Sequence, residues 1–261
     1  MKKTLSALIM VHNEEKILHN CLEKLNFCDE IVIILDKSSD NSEKICKKFT
    51  DKIFSGSWEY EGDRRNFGIN KCSSDWILEI DADEHISSDL SKEILNKINT
   101  NNLEYSNFHI KINNYIGSNL IKHGWGGTFG RGGVTCLFKK GTKTWGRQRV
   151  HPELTFTENF GPDLKNPIEH YFVNNISELI KKFDTWTYLK SLDLIEKKEN
   201  EKLGKNIRRI FSRFLKNYYK RKGYKEGRLG FLIALLAGLF PIVSFLRSEI
   251  KKNIKFKNID N

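Results

Sequence analysis

Asp81 and Asp83 stand two residues apart directly after the run Trp76-Ile77-Leu78-Glu79-Ile80. A turn at the end of a buried strand can aim both carboxylates at one hard divalent cation that a diphosphate also ligates. The alternative is a solvated strand end, where Asp83 or Glu84 only caps the next turn. Other chemistry-bearing groups punctuate the chain in a similar way. His12, Asn13 and Glu14 follow Val11, Asp36 and Asp40 follow Leu35, and Arg65-Asn66 lies further on. Glu153, Glu158, Asp163 and His170 form a later, looser set.

Regular elements must place these residues. Residues 5–11 are a continuous apolar run of strand length, and Asn13 is positioned to cap a helix carrying Ile17, Cys21, Leu22 and Leu25. Residues 31–35 form a second buried strand, and Asp40 with Glu43 has capping-box spacing for a helix carrying Ile45 and Phe49. Ile53-Phe54 is a short third strand, residues 63–72 a helix, and residues 76–80 a fourth strand. This alternation predicts a mainly parallel sheet with helices on both faces, in which ligands bind beyond the carboxyl ends of the strands. His12, Asp36, Asp81 and Asp83 all fall at such ends. After a helix over 89–99, Phe108, Ile110 and Ile112 alternate as a strand. Gly124, Gly126, Gly127, Gly130, Gly132 and Gly133 around Arg131 then read either as a closing lid or as turn glycines.

Charge divides the chain. The 261 residues carry a formal net charge of +11, but residues 202–261 hold 16 Lys+Arg and three Asp+Glu, leaving −2 over the preceding 201 residues. A near-neutral main domain argues against nucleic acid as a partner. We therefore expect a catalytic domain over 1–202 and a helical segment over 203–261. Leu203, Ile207, Ile210, Phe211, Phe214 and Tyr218 recur at three- and four-residue spacing, with Arg208, Arg209, Arg213, Lys216 and Lys220 on the other face. That is a basic amphipathic helix suited to an anionic membrane surface. Residues 229–246 contain no charge across 18 positions but include Gly230, Gly238 and Pro241, which points to shallow or re-entrant insertion rather than a span. The competing reading is a core helix. Five widely spaced cysteines without Cys-x-x-Cys pairs fit a reduced compartment and no structural zinc. Lys2-Lys3 and the following apolar run read as a first strand, because the run stops at His12-Asn13-Glu14-Glu15 without a signal-peptide cleavage site.

The ordered set Val11-His12-Asn13-Glu14, Ile33-Ile34-Leu35-Asp36 with Asp40, Arg65-Asn66 and Trp76 through Glu84 resembles family 2 glycosyltransferases of GT-A fold, in particular bacterial enzymes that extend lipopolysaccharide core. The resemblance implies a GT-A-like α/β domain and an inverting transfer of a hexose or heptose from a nucleotide-sugar donor to a membrane-associated glycan or lipid acceptor. It implies Mg²⁺ or Mn²⁺ as cofactor and the cytoplasmic face of the inner membrane as location. By the same resemblance His12 and Glu14 flank the base and ribose, Asp36 bonds the nucleoside, and Arg65 lies near the nucleotide. Asp81 and Asp83 form the Asp-x-Asp, with Asp83 the direct metal ligand. Val150-His151-Pro152-Glu153 is similar to a Val-His-Glu segment of related enzymes, which makes Glu153 the candidate general base, with Glu158 and Asp163 in reserve. His170 resembles a histidine that ligates metal or contacts phosphate. The loop from Asp36 to Asp40 departs from the usual Asp-x-Gly-Ser-x-Asp by being one residue shorter and lacking the glycine. The rival readings are an Asp-x-Asp phosphatase, a sugar nucleotidyltransferase and a non-catalytic basic membrane-binding module.

Overall fold

A computed structural model describes residues 2–100, 103–126, 130–197 and 201–257, with side chains up to residue 252. Gly127 of the glycine cluster lies outside these residues. In chain order the elements are β1 (Leu5–Val11), α1 (Leu18–Glu23), β2 (Glu30–Asp36), α2 (Ser42–Cys46), β3 (Ile53–Gly56), α3 (Glu61–Lys71), β4 (Trp76–Asp81), β5 (Glu84–His85) and α4 (Ser88–Ile98). They continue with β6 (Asn107–Ile116), β7 (Asn119–Ile121), β8 (Gly133–Lys139), β9 (Lys143–Trp145), β10 (Leu154–Phe156), β11 (Ile168–Val173), α5 (Ile176–Glu196), α6 (Leu203–Leu215) and α7 (Gly227–Lys257). Two compact units result: Met1–Asn113 with Gly133–Gln148 and Pro152–Phe172, and Asn114–Gly132 with Arg149–His151 and Val173–Asn261.

The first unit is built on a sheet ordered β3-β2-β1-β4-β8-β6-β11-β5. All seven residues of β1 are buried. Leu5, Ala7, Ile9 and Val11 pack into one layer with Leu18 and Leu22 of α1 and Leu90 and Ile94 of α4. Leu8 and Met10 join a second layer with Ile69 of α3, Phe138 and Trp145. Burial on both faces is why this strand, Ser6 apart, reads as an apolar run instead of an alternating one.

The sheet is mixed, which corrects the expectation of a mainly parallel one. Strands β3, β2, β1 and β4 are parallel. Beyond them β8 runs antiparallel to both β4 and β6, and β11 antiparallel to β5. No crossover helix follows α4 in this half, and antiparallel neighbours need none. A smaller correction concerns Asn13. It caps no helix; α1 begins after Ile17 without a side-chain cap, while Asn13 Oδ1 accepts from Ser39 N–H at 2.8 Å.

Glu30 ties β2 to its neighbours through Lys52, Ser6 and Ser73. Burial works against its charge, yet these bonds prevail and hold its carboxyl at about 2. A lowered folded-state value stabilises the protein above the ordinary carboxylate range and loses that contribution as pH falls toward about 2. Glu30→Gln should therefore lower stability at pH 7, and the gap from the parent should close as an acid titration followed by circular dichroism approaches pH 2.

The second unit is mainly helical. Helix α5, which precedes residue 203, packs on α7, as does α6. Ile233, Ala234, Leu236, Ala237, Phe240 and Phe245 of α7 are buried. By length and composition α7 is apolar enough to cross a membrane, but 56% of its most apolar window is buried inside the protein. His151 sits in this unit with its ring edge on Trp186, centroids 5.2 Å apart.

Candidate active site

Strand β4 delivers its chemistry by alternation. Glu79 and Asp81, two residues apart, share one face, and the Arg65 side chain reaches both from α3. Arg65 Nη1 lies 2.8 Å from Glu79 Oε1, and Nη2 lies 3.0 Å from Asp81 Oδ1. Its Nε donates to Glu61 Oε1 at 2.8 Å. Burial alone would weaken the guanidinium's charge, but Asp81, Glu61 and Glu79 outweigh it and push its pKa above the usual value. Lys143 Nζ, fully buried, donates to Glu79 Oε2 at 2.6 Å, and the Trp145 indole N–H reaches the same oxygen at 3.2 Å. Burial would raise the Glu79 pKa; Lys143 and Arg65 hold it below the ordinary carboxylate value. Asp81 thus rests on a charged relay of Glu61, Arg65, Glu79 and Lys143.

Helix α3 is seated tightly enough to aim this relay. A Cβ at Gly62 would stand 1.8 Å from the Gly146 carbonyl oxygen, so only glycine permits this approach. Asn66 fixes the same contact by exchanging two bonds with the Trp145 backbone, at 2.8 and 2.9 Å.

Two residues past Asp81 the chain turns, and Asp83 Oδ2 comes 3.4 Å from His170 Nε2. The main chain fixes this pairing. His170 lies opposite Glu84 in the β5–β11 ladder, and Tyr171 N–H donates to the Asp83 carbonyl at 2.9 Å. The Asp83 side chain is 21% exposed and that of His170 9%. Among the described residues no three His, Cys, Asp or Glu side chains gather into a metal cluster. Asp83 and His170 are two side chains that could hold a divalent cation, which would need further ligands from outside the protein.

Asp36, at the end of β2, accepts from Trp58 N–H at 3.2 Å and from Arg64 Nη1 at 3.1 Å. Each carboxylate oxygen keeps a further acceptor position. His12 Nδ1 lies 2.6 Å from the Asp36 carbonyl oxygen. A carbonyl can only accept, so Nδ1 donates, and in the neutral ring the exposed Nε2 is an acceptor. Glu14 is tied to α2 by its backbone N–H, which donates to Ser42 Oγ at 3.0 Å. In the shortened loop Lys37 takes the left-handed conformation itself, at φ +53°, and its Nζ donates to the Trp58 carbonyl at 3.0 Å. Asp40 accepts from Glu15 and Ser42 N–H, both at 3.0 Å, so it braces the loop.

The later acidic residues are not drawn into this constellation. Glu153 is positioned by its backbone, donating to Gln148 Oε1 at 3.0 Å and accepting from Gly146 N–H at 2.7 Å, while its side chain faces solvent. No bond joins it to Asp83 or His170 among the described residues. Glu158 offers its carbonyl to Asn107 at 3.2 Å, and Asp163 lies 3.5 Å from His109 Nδ1. Sequence reasoning missed Arg64, Glu79, Lys143 and Trp145. The one available signal was Glu79, a charge inside an otherwise apolar buried strand.

A sequence model of glycosyl transferase family 2 matches residues 6–148, which carry every contact around Asp36, Arg65 and Asp81 described above.

The chain belongs to glycosyl transferase family 2.

It is a glycosyltransferase. Among family members with similar sequences is the lipopolysaccharide core biosynthesis glycosyltransferase LpsC of Rhizobium meliloti strain 1021, 24% identical over 268 residues that span 100% of this chain and 97% of that protein. An uncharacterised glycosyltransferase of Rickettsia conorii is also 24% identical and covers 99% of this chain and 94% of its own length. Among solved structures, residues 1–349 of Staphylococcus aureus TarS, in complex with UDP-GlcNAc, superpose with a TM-score of 0.52 at 13% identity, over 94% of this chain and 88% of that one. This likeness shows the fold, a GT-A-like α/β architecture with a mixed sheet. Family membership and the lipopolysaccharide-type relative support transfer of a sugar from a nucleotide-sugar donor.

Proposed function

We propose that the enzyme transfers a hexose or heptose, with inversion, from a nucleotide-sugar to a glycan or lipid acceptor held at the cytoplasmic face of a membrane, as in lipopolysaccharide or cell-surface polysaccharide synthesis. The observation that carries this reading is the juxtaposition of the Asp83–His170 pair with the relay that anchors Asp81. In this reading Asp83 and His170 hold Mg²⁺ or Mn²⁺ together with the donor diphosphate. The bound ion supplies charge neutralisation for the departing nucleoside diphosphate. Asp81, held by Arg65, sets the polar wall beside it. Asp36 takes nucleoside N–H or O–H groups on its remaining acceptor positions, with the His12 imidazole and Glu14 beside the base and ribose. Arg65 lies near the nucleotide through Asp81, and Arg64, bonded to Asp36, joins it on the nucleoside side.

Glu153 is the proposed general base, accepting the acceptor hydroxyl proton as oxygen attacks the anomeric carbon. The test is release of nucleoside diphosphate from a panel of nucleotide-sugars, with and without Mn²⁺. We expect one preferred donor, metal dependence, and about 10²-fold slower turnover in Glu153→Gln with donor KM little changed. Equal loss in Glu158→Gln with none in Glu153→Gln would reassign the base; release from no donor would reject the reading.

The segment over 203–261 is proposed to associate with an anionic membrane surface, supported by its net charge of +12 and its exposed apolar residues.

A further inference from the structure

Helix α6 packs through a mixed face, on which Ile210 and Phe214 are half-buried beside a buried asparagine. Asn206 is fully buried, as is Asn217 in the π-helical turn that follows, whereas Leu203, Ile207, Phe211 and Leu215 are 49, 43, 65 and 51% exposed. These four lie at successive four-residue intervals, so they form one continuous stripe. The inward asparagines are satisfied: Asn206 Nδ2 donates to Glu201 Oε2 at 2.9 Å, and Asn217 accepts from Arg221. Polar bonds thus occupy part of the protein side of this segment, and a row of apolar side chains is left outside. Close backbone approach supports this packing, since a Cβ at Gly238 of α7 would stand 2.8 Å from the Ile210 carbonyl oxygen of α6.

Phe231 of α7, itself 48% exposed, extends the stripe through edge contacts with Phe214 and Tyr218. A contiguous apolar surface of this kind marks an interaction site. Its occupant follows from charge. Residues 203–220 contain no Asp or Glu; Lys205 and Arg208 are exposed on α6, and Lys216 directly after it. A second copy seated on this stripe would bring like charges together, whereas an anionic bilayer supplies both the apolar medium and the counter-charge.

We propose that the outward face of α6 is the surface that enters an anionic phospholipid bilayer, lying in the interface plane, while the apolar run of α7 is the internal support on which α6 rests. This rests on the membrane-associated reading above and names the surface responsible. It keeps the sequence-based expectation of a basic amphipathic helix and assigns the longest uncharged run, 56% of which is buried, a supporting part.

The test is flotation of full-length protein with vesicles of phosphatidylglycerol and phosphatidylcholine, and with vesicles of phosphatidylcholine alone. The parent should float with the first and bind the second at least tenfold more weakly. Ile207→Ser/Phe211→Ser should lose at least tenfold in partitioning to the anionic vesicles, with unfolding midpoint and donor hydrolysis unchanged, because both side chains are exposed. Leu246→Ser/Ile250→Ser, exposed on α7, should stay within twofold of the parent. The proposal is overturned if the α7 pair loses binding while the α6 pair keeps it, or if the parent stays unbound at low salt. It is equally overturned if α6 instead mediates a dimer that sedimentation shows and the α6 pair dissolves. Donor hydrolysis, read on soluble substrate, reports separately on the catalytic reading.

Discussion

Asp83→Asn should slow sugar transfer by on the order of 10³-fold while leaving the fold intact, because it removes one negative charge from the pair proposed to hold the donor-bound cation and nothing from the core. The carboxylate is partly exposed, and its backbone carbonyl, which accepts from Tyr171 N–H, is untouched by the change. The β5–β11 ladder therefore survives, and thermal unfolding should match the parent. Asp36→Ala should differ in kind: it releases Arg64 and the Trp58 N–H, so donor KM rises more than turnover falls. Steady-state release of nucleoside diphosphate separates the two. Near-parent turnover in Asp83→Asn would remove Asp83 from the proposed metal pair.

The second large effect is on stability. Lys143→Met should cost about 3–5 kcal/mol, the range for removing one partner of a buried ion pair. Lys143 is 0% and Glu79 2% exposed at the side chain, so water cannot replace the lost cation. Arg65 and Trp145 remain on Glu79, which places the expected value toward the lower end. Glu79→Gln/Lys143→Met should lose less than the sum of the single changes, since the carboxylate that needs the cation is gone with it. Urea unfolding midpoints check this, and a Lys143→Met protein within 0.5 kcal/mol of the parent would mean the relay carries no such coupling. Because Arg65 would be drawn toward the uncompensated Glu79, Asp81 should also lose its fixed partner, and donor KM should rise.

How much of this was legible in the sequence depends on how far apart the interacting residues lie. Strands β1, β2 and β4 announce themselves because both faces are buried, and the carboxylates at their ends follow directly. Strand β8 does not, since the glycine cluster before it obscures its start, and its antiparallel insertion beside β4 depends on partners far along the chain. The neighbours Arg64 and Arg65 show the limit most clearly. Consecutive helical residues point about 100° apart, so the sequence identifies an arginine pair but not which member meets Asp36 and which is buried beneath Asp81. The convergence of Asp83 and His170 was reachable only through family resemblance, because no local pattern joins a turn after β4 to a strand near residue 170. In the second unit the amphipathic spacing of α6 was legible, whereas which apolar side chains of α7 are spent on internal packing was not, because that depends on its contacts with α5 and α6.

The central claim is that Asp83 and His170 form half of a metal site that the donor diphosphate completes. Binding of Mn²⁺ followed by electron paramagnetic resonance, with and without nucleoside diphosphate, tests it most directly. The account predicts weak binding to the protein alone, binding at least tenfold tighter with nucleoside diphosphate present, and loss of that enhancement in both Asp83→Asn and His170→Ala. Enhancement of the same size in the parent and both variants would contradict it.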